Sequence, residues 1–249
     1  MSNLYVLSVG RNPNTFLNRC VYSVQNQLVQ PDQHIVIDDV SDDETKKIIE
    51  NLPKHENLQI IQNTERKYRL KNIWENSINK DPDDVICLVD SDDWLTDVGV
   101  LGYIKHAYDK SPELEYLYSK YILSHGEPGC SQSIPSNSWE PYNSPWITSH
   151  MCTYRAKALQ RVPVSNFLDW NGEWFKIATD HAMILPMLHM LKEKDGGFSS
   201  VGFVKRPMYV HSFLGNPSKP RTGTPESEER SRLAVECSTY IKQRGFVES

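Results

Sequence analysis

A chain of 249 residues, 39% hydrophobic and 10% aromatic, is long enough to bury one sizeable α/β core or two closely packed halves. Its net charge of −5, from 27 basic and 32 acidic residues, argues against a general electrostatic attraction to nucleic acid or anionic membrane. No apolar run approaches the ~20 residues that span a bilayer, Met1 to Gly10 is too quickly interrupted for a signal peptide, and five scattered cysteines without a Cys-x-x-Cys pair argue against a disulfide framework or a zinc site. A cytoplasmic protein with reduced thiols is expected.

Leu4 to Val9 reads as an apolar strand, and the turn Gly10-Arg11-Asn12-Pro13-Asn14 feeds a helix over about Thr15 to Gln27, capped by Asn14 or Thr15. Phe16, Leu17, Cys20, Val21 and Val24 recur at helical spacing, so one face packs on a sheet. His34 to Ile37 is a second buried strand that ends in Asp38 and Asp39, after which Ser41 and Glu44 form a capping box for another helix. Leu58 to Ile61 is a third strand, Asn63 to Lys71 a polar basic loop, Asn72 to Asn79 a helix, and Val85 to Val89 a fourth strand. Strand and helix alternate through residue 94, the pattern of an α/β fold.

Beyond residue 94 the alternation loosens. Glu127 to Trp146, rich in Pro, Ser, Asn and Gly, is expected to be a long surface loop. Ile147 to Tyr154 is a candidate strand, Arg155 to Arg161 a short helix, Asp180 to Leu191 an apolar helix and Phe203 to His211 a strand. A linker rich in Pro, Gly, Ser and Thr over Asn216 to Glu226 precedes a polar helix from about Ser227 to Gln243. That linker carries Lys219 and Arg221 and is a candidate lid over a bound diphosphate.

The segment Val85 to Trp94 is the most informative in the chain, because a strand-length apolar run ends in Asp90, Asp92 and Asp93. Carboxylates clustered at the carboxyl end of a buried strand repel one another unless a cation or hydrogen-bond donors offset the charge. Hard oxygen ligands favour Mg²⁺ or Mn²⁺. The competing reading is an acidic turn that caps the next helix.

Taken in order, these segments resemble glycosyltransferase family 2 with the GT-A fold, over roughly residues 4 to 218. Ile37-Asp38-Asp39-Val40-Ser41 is similar to the family's second strand end, usually Val-Asp-Asp-Gly-Ser, with Val40 in place of the glycine. Asn63 through Asn72 resembles the loop that ends in a basic residue and Asn, and Val89-Asp90-Ser91-Asp92-Asp93 resembles the apolar-Asp-Ser-Asp-Asp segment. Thr179-Asp180 stands where the family places its acid pair, usually Glu-Asp, and Tyr209 to Ser218 resembles a Tyr-Arg-x-His segment followed by Asn and Ser, with Val210 in place of the arginine and His211 one residue early.

The resemblance implies a mostly parallel central sheet flanked by helices, a single domain of two abutting halves: donor-binding over 1–94 and acceptor-binding over 95–215, with a linker and helix over 216–249. It implies a metal-dependent inverting transfer of a sugar from a nucleoside diphosphate sugar, UDP preferred, to an acceptor hydroxyl. Asp92 and His211 would hold Mn²⁺ or Mg²⁺, Asp90 and Ser91 would meet the donor ribose or sugar, and Asp39 would accept from the base with Asp38 bracing it. Arg66, Lys67, Arg69 and Lys71 lie in a loop that reaches the phosphates, with Arg66 and Lys71 the leading candidates, and Asp180 would be the general base. Trp139, Trp146, Trp170 and Trp174 lie in the half that would receive the acceptor, whether a saccharide, a lipid-linked glycan, a protein or a modified nucleobase. The alternatives are a haloacid-dehalogenase-like phosphatase with Asp90 as nucleophile and Asp92 as acid, and a non-catalytic nucleotide-sugar binding protein.

Overall fold

The computed structural model describes residues 2–212 and 223–248. One eight-stranded mixed sheet runs through the molecule, built from β1 (Leu4–Gly10), β2 (Gln33–Asp38), β3 (Leu58–Gln62), β4 (Val85–Leu88), β5 (Trp94–Leu95), β6 (Tyr116–Leu123), β7 (Cys152–Arg155) and β8 (Val201–His211), in the order β3-β2-β1-β4-β7-β6-β8-β5. The first four strands pair in parallel, β4 with β7 and β7 with β6 antiparallel, β6 with β8 parallel, and β8 with β5 antiparallel. The expected strand-helix alternation is therefore present through β4. The switch to mixed pairing belongs to the half where the alternation loosens.

Helices α1 (Phe16–Gln25), α2 (Asp43–Glu50), α3 (Tyr68–Ser77), α4 (Val100–Lys110), α5 (Ala156–Gln160), α6 (Thr179–Asp195) and α7 (Pro225–Arg244) cover the sheet. Successive side chains of a strand point to opposite faces. Leu7, Val9, Ile35, Ile37, Ile86 and Leu88 accordingly join one core with residues of α3, α5 and α6, while Leu4, Val6, Val85, Cys87 and Val89 join another with residues of α1 and α4. Four of the five cysteines are buried free thiols and Cys130 is exposed. No helix of the described residues is long and apolar enough to cross a membrane.

Three local expectations differ from the structure. The cap of α2 is Asp42, whose carboxylate accepts from the Thr45 N–H, and Ser41 Oγ instead accepts from the Asn12 N–H. Asn14 does not cap α1; its Oδ1 accepts from Thr45 Oγ1 at 2.6 Å, so the loops after β1 and β2 are tied together. Helix α3 starts at Tyr68, which puts Lys71 on the helix and not in the loop before it. The weakly patterned stretch after residue 94 contains α4 and β6, neither of which was expected, whereas 127–146 has neither helix nor strand, as expected. Residues 216–222 of the candidate lid, with Lys219 and Arg221, and the Asn216 and Ser218 of the family resemblance lie outside the described residues. Thr224 and Pro225 open α7 through a Thr224–Ser227 capping box.

Val40, which stands where the resemblance places glycine, has φ 64°. A β-branched residue is strained in this left-handed region, whereas glycine enters it freely. Val40→Gly is expected to stabilise the protein by about 1 kcal/mol, the net of a left-handed penalty of roughly 1–2 kcal/mol and the extra unfolded-state entropy of glycine. A urea melt that gave Val40→Gly a lower midpoint at unchanged slope would contradict this.

Candidate active site

The carboxyl ends of β1, β2 and β4 open onto a cleft of about 600 Å³ whose far wall is the segment leading into α6 and the start of α7. Of the residues expected at a site, Asp39, Arg66, Asp90, Ser91, Asp92, Asp180 and His211 line it, joined by Arg69, Tyr68, His150, Lys176 and Arg230. Asp38 and Lys71 are not on its wall. Asp38 is buried and accepts from the Ser41 N–H at 3.0 Å, so it braces the turn after β2. Lys71 points along α3 toward Glu75, 3.9 Å away. None of the four tryptophans lines the cleft: Trp139 is buried against Phe198, Trp174 packs on Phe167 and Trp74, Trp146 meets His181, and only Trp170 is exposed, at 48%.

Asp39 is the most heavily bonded side chain of the site. Its Oδ1 accepts from Asn63 Nδ2, Asn72 Nδ2 and the Lys67 N–H at 2.9–3.1 Å, and its Oδ2 from Arg66 Nε and the Tyr68 N–H, both at 2.9 Å. Burial raises its pKa, and these donors together more than reverse that, holding the carboxyl below the usual range. The side chain is only 4% exposed. Its visible work is to fold the 63–72 segment, in which Tyr68 takes a left-handed φ of 61°. An incoming base N–H has to displace one of these five donors to reach it.

At the next strand end, Gly10 allows close approach: a Cβ there would overlap Ser91 Oγ. Ser91 is buried on the cleft wall, and its hydroxyl has no hydrogen-bond partner among the described residues. Burial raises the pKa of Asp90, opposed by Arg69, whose Nε donates to Asp90 Oδ1 at 2.7 Å. Nη1 of the same guanidinium donates to Asp180 Oδ1 at 2.8 Å. Asp180 sits in the first turn of α6, after Ala178 in the left-handed conformation, where helix N–H groups favour a carboxylate.

Asp93, for which the sequence offered no role, is wholly buried. Antiparallel pairing of Trp94 with Val210 and of Leu95 with Tyr209 brings it beside the end of β8. Its Oδ2 accepts from the Tyr209 hydroxyl at 2.6 Å and lies 2.9 Å from His211 Nδ1, and its Oδ1 accepts from the Ser212 N–H at 2.7 Å. The Tyr209 hydroxyl in turn accepts from the Asp90 N–H. Asp93 thus orients His211, as carboxylates commonly orient metal-binding imidazoles. His150 stacks on both Tyr209 and His211, with ring centroids 4.8 and 5.1 Å apart, and burial lowers its pKa. Asp93, His150 and His211 offer ligand atoms within 4.8 Å of one another, so this end of the cleft suits a divalent cation. His150 lies within the candidate strand 147–154, two residues before the observed β7, and no motif marked it as a site residue.

Residues 9–114 match the model of Glycosyl transferase family 2. Over that stretch the chain is similar to glycosyltransferase family 2. The match ends before β6, so Asp180 and His211 fall outside it. The whole chain superposes on TarS 1–349 from S. aureus in complex with UDP-GlcNAc, with a TM-score of 0.62 and 16% identity, covering 100% of this chain and 68% of that one. It also superposes on the mannosyltransferase PcManGT from Pyrobaculum calidifontis in complex with GDP-Man and Mn²⁺, with a TM-score of 0.60 and 12% identity, covering 99% of this chain and 66% of that one. The architecture is the GT-A fold, which sets aside the phosphatase alternative. Among curated proteins, none matches the sequence.

If Asp39 organises the 63–72 segment, Asp39→Asn is expected to destabilise the protein by about 2–4 kcal/mol, because a neutral amide opposes donors selected for a carboxylate. Amide exchange of residues 63–72 should rise most. Exchange that rose only within β2 would show that the segment folds without Asp39.

Proposed function

We propose that this glycosyltransferase is divalent-metal-dependent and inverting, and that it moves a sugar from a nucleoside diphosphate donor, UDP preferred, to an acceptor hydroxyl. The reading is carried by one observation: Asp90 and Asp92 after β4, Asp180 on α6 and His211 on β8 line a single cleft, although up to 121 positions separate them in sequence. We assign the cation to Asp92 and His211: both line the cleft, and a carboxylate and an oriented imidazole are ligand types that suit Mn²⁺. When bound, the cation supplies a Lewis acid for the charge that grows on the leaving diphosphate.

The remaining work falls to side chains. The buried Ser91 hydroxyl, without a partner among the described residues, and the Asp90 carboxylate offer a donor and an acceptor to a ribose or sugar hydroxyl. Arg66, whose guanidinium carbon lies 4.4 Å from the Tyr68 ring centroid, and Arg69 offer cationic N–H groups to phosphate. Asp180, across the cleft from the strand ends, takes the proton of the acceptor hydroxyl as it attacks the sugar from the face opposite the leaving group. UDP-GlcNAc in the TarS complex supports UDP as the nucleotide, while GDP-Man in PcManGT keeps guanine in view. We further propose a donor-binding half over 1–94 and an acceptor-binding half over 95–215, to which residue 211 contributes a donor-side ligand.

Calorimetry with UDP-, GDP-, CMP- and dTDP-sugars, with and without Mn²⁺, tests the donor class. Asp92→Ala should abolish Mn²⁺-dependent binding and keep the fold; undiminished binding in Mn²⁺ would reduce Asp92 to a structural cap. Asp180→Asn should retain donor binding while transfer falls by roughly 10²–10⁴-fold, the range for loss of a general base. Unchanged turnover would move that role elsewhere; Asp169 and Glu173, acidic neighbours in sequence, do not line the cleft.

A further inference from the structure

One guanidinium joins the carboxylates that the proposed reaction uses on its donor and acceptor sides. Arg69 Nε donates to Asp90 Oδ1 at 2.7 Å, and Nη1 donates to Asp180 Oδ1 at 2.8 Å, with Thr179 Oγ1 at 3.4 Å. The two acids come from the end of β4 and the start of α6, so Arg69 spans the cleft between the halves. Its side chain is 18% exposed.

This tie opposes the work assigned to Asp180. Burial favours the neutral carboxyl, but neighbouring positive charge, Arg69 foremost, outweighs it and holds Asp180 below the usual carboxylate range. A carboxylate held in that way is a weak proton acceptor, and one of its oxygens is occupied. The same guanidinium lines the cleft with Asp92 and His211, beside which a diphosphate would lie. Phosphate oxygens match its planar fork as well as a carboxylate does.

We propose that Arg69 is a positioning residue that exchanges partners: it ties Asp180 to Asp90 before the donor binds, then turns its Nη groups to the diphosphate and releases Asp180 toward the acceptor. The Nε bond to Asp90 is the pivot. Donor binding thereby activates the base, and the donor precedes the acceptor. The inference rests on the nucleoside diphosphate reading above.

Equilibrium affinity for UDP in Mn²⁺, or for GDP if wild type prefers it, reads the exchange directly, because the tie competes with the nucleotide for Arg69. Asp180→Asn removes the charge from the tie and should tighten nucleotide binding by roughly 3- to 10-fold. In an Arg69→Lys background the ammonium cannot span both acids, and the same change should alter affinity by less than about twofold. Arg69→Gln serves as that background if the Lys variant does not fold. Equal tightening in both backgrounds would trace to relief of charge repulsion and overturn the exchange. No tightening in the Arg69 background would show that the tie does not compete with the nucleotide for the guanidinium, and would overturn it as well. Failure of wild type to bind either nucleotide would instead overturn the donor reading and take this inference with it.

Discussion

A single buried carboxylate, that of Asp39, organises most of what faces the cleft. Five donors converge on it, and three of them belong to consecutive residues, Arg66, Lys67 and Tyr68, so the chain must wrap around the charge before α3 can begin. A carboxylate at 4% exposure would be costly without such partners. Satisfying it sets the first turn of α3, and with it the direction of Arg69, which follows Tyr68 directly and reaches the cleft. The left-handed Tyr68 is part of the same wrap, and strain of this kind persists where surrounding bonds over-determine the backbone.

The second constraint is that several acids share one sheet edge. Asp90 and Asp93 from the turn after β4 and Asp180 from α6 are brought together, and like charges so close disfavour joint ionisation. The structure answers with different partners for each. Asp93 is enclosed by the Tyr209 hydroxyl, the His211 ring and the Ser212 N–H, which makes it a holder of β8. Asp90 and Asp180 share Arg69. Asp92 lies on the cleft wall between them in the chain, at the position where an oxygen ligand for a cation is chemically apt.

The far wall of the cleft depends on packing remote from it. Helix α7 contributes Glu226, Arg230 and Ala234 from its first half, but is anchored near its end, where Ile241 is buried and Arg244 donates to the carbonyls of Asn166 and Leu168. Ser238 bonds His181, the neighbour of Asp180, so the helix that bears the proposed base is braced by the chain's last helix. Burial lowers the His181 pKa to about 4, which keeps the ring neutral beside that acid near neutral pH.

Sequence alone determined the parallel half of the fold and the chemistry at its edge. Buried parallel strands must be continuously apolar, and their ends must turn polar where the chain leaves the core, so β1 to β4 and the acids at 38–39 and 90–93 were legible from local pattern. The apolar helix opening at Asp180 and the strand closing at His211 were legible for the same reason. What tertiary structure alone decided is pairing and facing. The two-residue β5 is too short to leave a periodic signal, yet its register with β8 is what places Asp93 against His211. Residues 69 and 71 carry equivalent charge in the sequence, but two positions on a helix differ in direction by about 200°, so the start of α3 gives the cleft Arg69 and turns Lys71 toward Glu75. Asp39 reads as a ligand-facing acid until the donors that enclose it are seen, because hydrogen bonds across 24 to 33 residues depend on a chain path that composition and spacing do not encode.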